Sequence, residues 1–198
     1  MVSLHARVSG AQPDSWEHPD LAQIWFRGGA DYIIPRRDIG LFTLGSQPRD
    51  ANLVAQMERL AQAVHDYCAG RILPVREVTE GLGIERPLSI RSTAMTGRVL
   101  IRWNASKIWL VPIERPEVDA EDARLELARR FMTWFAPQTK KAMARWIGLL
   151  PGDASATWKA IEDEFVAVEV DGTPRGYVRE CDLDALRTAE PVNGSTRL

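Results

Sequence analysis

"KKAMARWIGLLPGDASATWKAIEDEFVAVEVDG", Lys140 to Gly172, reads as helix, tight turn, helix and strand ending in a hairpin turn. This order is found in DNA-binding modules. Thr139 can cap the first helix, Ala142, Met143, Trp146 and Ile147 fall on its inner face, and Gly148 suits the left-handed turn that ends it. Pro151-Gly152 turns the chain. Asp153 is placed to cap a helix in which Ala154, Trp158, Ile161 and Phe165 recur at helical spacing, leaving Ser155, Lys159 and Glu162 outside. Val166, Val168 and Val170 alternate like a half-buried strand, and Asp171-Gly172 is a hairpin signal leading to "TPRGYVRE".

Upstream, Asp119 can cap a helix through "AEDARLELARRFMTWFA" that stops before Pro137, with Leu125, Ala128, Met132 and Phe135 near one face. Three helices and a hairpin make a winged helix over residues 119–180, followed by a tail at 181–198. Residues 50–115 repeat the plan: a helix in "ANLVAQMERLAQAVHDYCAG" ended by Gly70, a short helix in "VREVTEGLG", and a third in "SIRSTAMTGRVL". The strands "LIRW" and "KIWLVPI" follow, around Asn104-Ala105-Ser106, with Trp103 and Trp109 beside the turn. "IERPEVDAED" separates the two units as a short linker.

Residues 1–49 hold a helix around "HPDLAQIW", a strand-like "ADYIIP" and a short helix in "RRDIGLF", a partial first module. No helix long enough to open it precedes Ser15, so the chain starts inside a domain or borrows packing from elsewhere. The expected fold is α+β, mainly helical, built from tandem winged-helix modules (helix-turn-helix plus β-hairpin wing).

Hydrophobic residues at 45% and charged residues at 26% fit a folded chain rather than a disordered one. A formal net charge of −2 gives no global pull toward nucleic acid, so any such binding must come from local patches. From Arg86 to Lys107 the basic residues Arg86, Arg91, Arg98, Arg102 and Lys107 occur with no acidic residue between them. The run spans the third helix and hairpin of the middle unit, the part of a winged helix that lies against phosphates; it reads either as a phosphate-binding stripe or as a solvated charged face. From Glu121 to Glu180 nine Lys and Arg stand against ten Asp and Glu, so the last unit is not basic. Its candidates for phosphate contact are Lys140, Lys141, Lys159 and the wing residue Arg175, with Ser155 for a base edge. Ordinary surface roles are the alternative for each, and Trp146 and Trp158 read as core residues rather than stacking platforms.

Cys68 and Cys181, and His5, His18 and His65, lack metal-ligand spacing, so neither a metal nor a cofactor is expected. The acidic run Glu162-Asp163-Glu164 reads as a solvated helix end. Asp31 reads as a turn or strand-end aspartate, with a polar site residue as the alternative. No catalytic residue is assigned. Neither a secretory leader nor a membrane-spanning stretch is found, which sets a cytoplasmic expectation, with nucleoid association if DNA is bound.

"ARRFMTWFAPQTKKAMARWIGL" with the following helix and "VAVEVDG" resembles the bacterial winged-helix DNA-binding family that includes the interstrand-crosslink DNA glycosylases. Its pattern "ARR, fGPaT, dfarW.gl, vevdG" is matched with Ala136 for glycine and Gln138 for alanine. "IWFRGGADYIIPRRDIGLF" is similar to the family's "W.mRGTlH.vp..D", with Gly29, Ala30 and Asp31 where Thr, Leu and His are usual. The resemblance covers nearly the whole chain and implies a protein that begins and ends within the family's usual length. The family's glutamine-containing QxQ or QxD motif lies just before the segment that "VSLHARV" resembles and has no counterpart, Gln12 and Gln23 being outside it. The resemblance therefore implies double-stranded DNA as partner, bound through phosphate contacts without base excision. An active crosslink or alkyl-base glycosylase, and a winged helix that binds a protein partner or forms a homodimer, are the alternatives.

Overall fold

The segment around Leu21 to Phe26 is where the fold departs most from a helical reading. Ala22, Ile24 and Phe26 are apolar and so is Trp25 between them, so a strand here must bury both faces. In the computed structural model, which describes residues 9–12, 14–26, 29–104, 106–169 and 175–188, this segment is strand β1 (Leu21–Phe26), not a helix. β1 pairs antiparallel along its whole length with β2 (Ala30–Pro35), from Leu21 opposite Pro35 to Phe26 opposite Ala30. Two-sided pairing, which a sequence window does not contain, overrides the local helical spacing.

A 3₁₀ turn (Arg36–Asp38) and α1 (Ile39–Gly45) follow, then α2 (Ala51–Cys68), β3 (Leu73–Pro74) and α3 (Val75–Gly81). Next come a 3₁₀ helix (Pro87–Thr96), β4 (Val99–Trp103) and β5 (Ile108–Pro112). The expected third α-helix of the middle unit is thus a 3₁₀ helix. Ser92, Thr93 and Thr96 each donate a hydroxyl to the carbonyl three residues back, at 2.8, 2.7 and 2.7 Å, which suits the tighter winding. The five strands form one sheet in the order β2-β1-β4-β5-β3. Gln23 locks β1 to β4: its Oε1 accepts from the Trp103 N–H and its Nε2 donates to the Trp103 carbonyl at 3.3 Å.

The last part of the chain holds α4 (Ala120–Trp134), α5 (Lys140–Ile147), α6 (Pro151–Ile161), the two-stranded sheet β6 (Phe165–Val168) and β7 (Gly176–Arg179), and α7 (Leu183–Arg187). Asp119 caps α4, Thr139 caps α5, and Gly148 takes the left-handed turn with φ 87°. The inward stripe of α4 is Leu127, Ala128, Phe131 and Met132; Leu125 is half-buried and Phe135 is 46% exposed, because the helix ends before it. α6 starts one turn earlier than its aspartate implied: Leu150 is the cap position, Pro151 opens the helix, and Asp153 lies in the first turn. The Asp171-Gly172 turn and Val170 lie outside the described residues.

Strand alternation divides the interior into two cores. Ala22, Ile24, Phe26 and Leu100 join Phe42, Leu127, Phe131, Met132, Met143, Ile147, Trp158, Ile161 and Phe165 in one. Trp25, Val99 and Ile101 join Val64, Cys68, Val78, Ile90 and Leu110 in the other. The first segment therefore does borrow packing, from α4 to α6. Arg124, 2% exposed, adds an ionic tie: it donates to the Gln47 carbonyl and to Glu121. Arg49 donates to Glu121 as well, to the Asp153 carbonyl at 2.8 Å and to Thr157 at 3.4 Å. The loop after α1 is thereby fastened to α4 and α6.

Trp158 is 5% exposed and packs on Phe165 and Tyr177 at 5.5 and 4.9 Å between ring centroids. Trp158→Ala is expected to destabilise the protein by about 3–5 kcal/mol in a denaturant melt. An unchanged midpoint would put that ring outside the core. Glu121→Gln leaves the buried Arg124 without its carboxylate, and because Glu121 is itself half-exposed the expected loss at neutral pH is about 1–3 kcal/mol. The hydrogen bond from Arg49, ahead of the nearby guanidinium charges, holds the Glu121 carboxyl below its ordinary value. That stabilisation is present above the ordinary carboxylate range and is lost as pH falls through the lowered value. Urea melts across the acid range should show the gap between wild type and Glu121→Gln closing; a gap independent of pH would remove Glu121 from the network's charge balance.

Candidate functional site

The basic residues from Arg86 to Lys107 do not form one free stripe. Arg98 is ion-paired with Glu58 at 3.0 Å, and Arg102 with Glu17 at 2.8 Å beneath the Trp16 ring. Arg91 turns inward and donates to the Gly29 carbonyl at 2.9 Å. Lys107, at the β4–β5 turn, is exposed, and Arg86 is exposed at the start of the 3₁₀ helix. Trp103 and Trp109 sit on adjacent strands, opposite Ile108 and Arg102 respectively.

In the last unit Lys141, Ser155, Lys159 and Arg175 are exposed. Ser155 and Lys159 lie one turn apart on the outer face of α6, and Lys140 and Lys141 open α5. The Lys140 ammonium lies over the rings of Trp158 and Tyr177, 4.8 and 5.5 Å from their centroids, a cation–π arrangement that ties it to its own fold. Trp146 is half-buried in an aromatic cluster, 5.0 Å from Phe26 and 5.2 Å from Phe131, so it packs rather than stacks on a ligand. Glu164 is held by Arg129 at 2.8 Å and Arg179 at 3.7 Å, while Glu162 and Asp163 face solvent.

A cleft that the linear charge pattern does not announce lies where the two cores meet. It encloses about 320 Å³ between Trp25, Phe26 and Gly29 on the β1–β2 side, Leu88, Arg91, Ser92 and Met95 on the 3₁₀ helix, Ser46 after α1, and Ile147 and Gly148 at the end of α5. Gly29 has φ +86° and its Cα faces the Arg91 side chain so closely that a Cβ there would lie 2.5 Å from Arg91 Cδ. The guanidinium sits 5.8 Å from the Trp25 ring centroid. Asp31 stands opposite Trp25 in the β1–β2 register. Asp31 is exposed overall, but partial desolvation of its carboxyl pushes it up from the ordinary value, against the opposing pull of Arg91 and of the Trp25 indole N–H. That indole nitrogen, though near enough to favour the carboxylate, is buried without a hydrogen bond of normal geometry among the described residues. Trp25 could be found from sequence only as a large apolar residue on the odd face of a strand, and the helical reading hid it.

Among the described residues no group of His, Cys, Asp and Glu is arranged to hold a metal ion, and no helix is long and apolar enough to cross a membrane. Cys68 is buried and Cys181 exposed, neither in a disulfide.

A family model described as "DNA glycosylase AlkZ-like" matches residues 1–198. No curated protein matches the chain. Among solved structures, the DNA glycosylase AlkZ of Streptomyces sahachiroi is similar with a TM-score of 0.70 at 15% identity, over 93% of this chain and 60% of its own. At that identity the likeness is one of fold, and the chain spans about 60% of the length of that protein.

In a carboxyl NMR titration Asp31 is expected to titrate above an ordinary aspartate, and Arg91→Gln to move it higher still, because the guanidinium favours the carboxylate form. A downward move on that substitution would mean that Arg91 does not face the carboxyl.

Proposed function

The chain belongs to the AlkZ-like DNA glycosylase family, and on that premise we propose that it is a DNA-repair-related protein that binds duplex DNA through phosphate contacts. The observation that carries this reading is the match of the family model to every residue from 1 to 198. Residues 50–115 and 119–180 act in it as winged-helix modules, with a partial module at 1–49 and a tail at 181–198. Two local features support the middle module: β3 pairs with β5 beside the β4–β5 hairpin, and the 3₁₀ helix precedes that hairpin. The proposed setting is the bacterial cytoplasm, on the nucleoid.

Phosphate binding falls to Arg91, Arg98, Arg102 and Lys107 in the middle module, and to Lys140, Lys141, Lys159 and Arg175 in the last, with Ser155 toward a base edge. Arg98 and Arg102 must first leave Glu58 and Glu17. For half-exposed pairs that costs at most about 1 kcal/mol each, less than a phosphate contact returns through counterion release at low salt. The exchange keeps the free protein near neutrality and makes binding modest and salt-sensitive. Base excision is a second reading, and Asp31 is the observation that favours it: a partly desolvated carboxyl beside an arginine, pushed up from its ordinary value, is the kind of group that takes a proton from water. Time-dependent release of an alkylated base by wild type, absent in Asp31→Asn, is the result that reading requires.

Replacing Arg98, Arg102 and Lys107 together by alanine is expected to weaken binding to two unrelated duplexes about equally. The log K against log salt slope should flatten by roughly 0.9 for each phosphate that the variant no longer neutralises. Replacing Lys140, Lys141 and Lys159 should do less, because Lys140 is held over Trp158 and Tyr177. Fluorescence anisotropy at several salt concentrations, on variants with unchanged melting curves, measures both. If neither duplex binds wild type even at low salt, the protein-partner or homodimer reading replaces this one.

A further inference from the structure

We propose that the segment Asp14 to His18 is an autoinhibitory strap: it occupies Arg102 in the free protein and is displaced when a phosphate of duplex DNA takes that guanidinium. The inference rests on the duplex-DNA reading and adds a regulatory contact to it. Its first support is the latch. Arg102 donates to the Glu17 carboxylate at 2.8 Å, and the same guanidinium lies 5.9 Å from the centroid of the Trp16 ring. Two adjacent side chains of one short turn thus converge on one charge, the carboxylate on its donors and the indole on its face. A phosphodiester needs those same donors, so strap and phosphate are alternatives at one site.

The fastening of the strap is the second support. Its far end is pinned to the sheet: Arg36 donates from its backbone N–H to the Asp20 carbonyl and from Nε to the Pro19 carbonyl, both at 2.7 Å, and the Leu21 N–H donates to the His18 carbonyl at 2.9 Å. From Ser15 to Glu17, by contrast, the hydrogen bonds among the described residues stay within three positions along the chain, the one from Arg102 excepted, and none of the three residues is fully buried. A segment pinned at one end and latched by one guanidinium can open locally while the sheet stays folded. The third support lies beneath it. Glu17, Ile72 and Arg102 border two hollows, one of about 260 Å³ reaching Arg36 and Val111, the other of about 420 Å³ reaching Asn104 and Trp109. Lifting the strap joins them into one groove with the freed guanidinium on its floor. Apparent affinity for DNA is then lowered by the fraction of molecules in which the strap is closed.

The test is fluorescence anisotropy of a labelled duplex at low salt, on the whole chain and on variants with unchanged melting curves. Glu17→Gln is expected to bind about threefold more tightly than wild type, the effect of removing one exposed ion pair. Glu17→Gln combined with Trp16→Ala should gain about tenfold, since the ring's hold on the guanidinium is lost as well. Both gains should vanish in an Arg102→Ala background, because the strap acts through that residue alone. Asp20→Asn removes a carboxylate that is 89% exposed on the same stretch and away from Arg102, and should leave affinity unchanged. The proposal is overturned if Glu17→Gln binds no more tightly than wild type, if Asp20→Asn gains as much, or if the gain survives Arg102→Ala. Any of these results with wild type still binding duplex leaves the DNA reading in place, whereas an absence of binding by every one of these proteins removes that reading and the strap's role with it.

Discussion

Strand β1 has to bury both of its faces, and the arrangement of the rest follows from that requirement. Ile24 and Phe26 would each forfeit about 1.5–3 kcal/mol if left in water, Ala22 less than about 1 kcal/mol, and Trp25 on the other side would forfeit a comparable large-side-chain sum. A strand with this pattern is stable only between two apolar layers. α4, α5 and α6 supply one layer, α2, α3 and the 3₁₀ helix the other. The cleft lined by Trp25, Phe26 and Arg91 is where the two layers part at the end of β1. Its walls thus come from segments far apart in the chain, held by the strand that both layers share.

The ionic tie around Arg124 is of a different kind. Hydrophobic burial is non-directional and would tolerate some sliding of α4 against the loop after α1. A guanidinium buried to 2% exposure tolerates none, because each of its partners, the Gln47 carbonyl and Glu121, must be at hydrogen-bond distance or the charge is stranded. Arg49 and Asp153 extend the same network to α6. The apolar layers supply most of the stability, and the network fixes how α4 and α6 sit against the loop after α1.

Several elements were legible in the sequence because their determinants are local. Asp119 and Thr139 precede helices and cap them, Gly148 ends one, and the "LIRW" to "KIWLVPI" hairpin forms around Asn104 as its turn residues imply. β1 was not legible, since a strand buried on both faces has the same continuous apolar texture as a buried helix and only its partners distinguish the two. The charge run from Arg86 to Lys107 misled in another way. The carboxylates that meet Arg98 and Arg102 come from 40 and 85 residues away, so a linear count treats as free charges those that folding pairs. Arg124 shows the same limit, a helix arginine whose burial depends on a carbonyl 77 residues earlier. The family pattern was legible where it depends on capping and core residues, from Ala128 to Leu149, while the Trp25 and Asp31 pairing became visible only once the register was known.

The sharing of β1 between two layers also bears on how such a chain can change by recombination. A crossover that replaced residues 50–115 with the same region of a distant relative would bring a new set of side chains against Trp25 while leaving Ile24, Phe26 and Leu127 facing most of their old buried neighbours, Leu100 excepted. The chimera would have to match a strand whose other face is already committed, and it would lose the Gln23 to Trp103 lock unless the incoming strand ran in the same register. Breakpoints inside this protein are therefore expected to be rare compared with those at its ends, and its apparent modules to be inherited as one block.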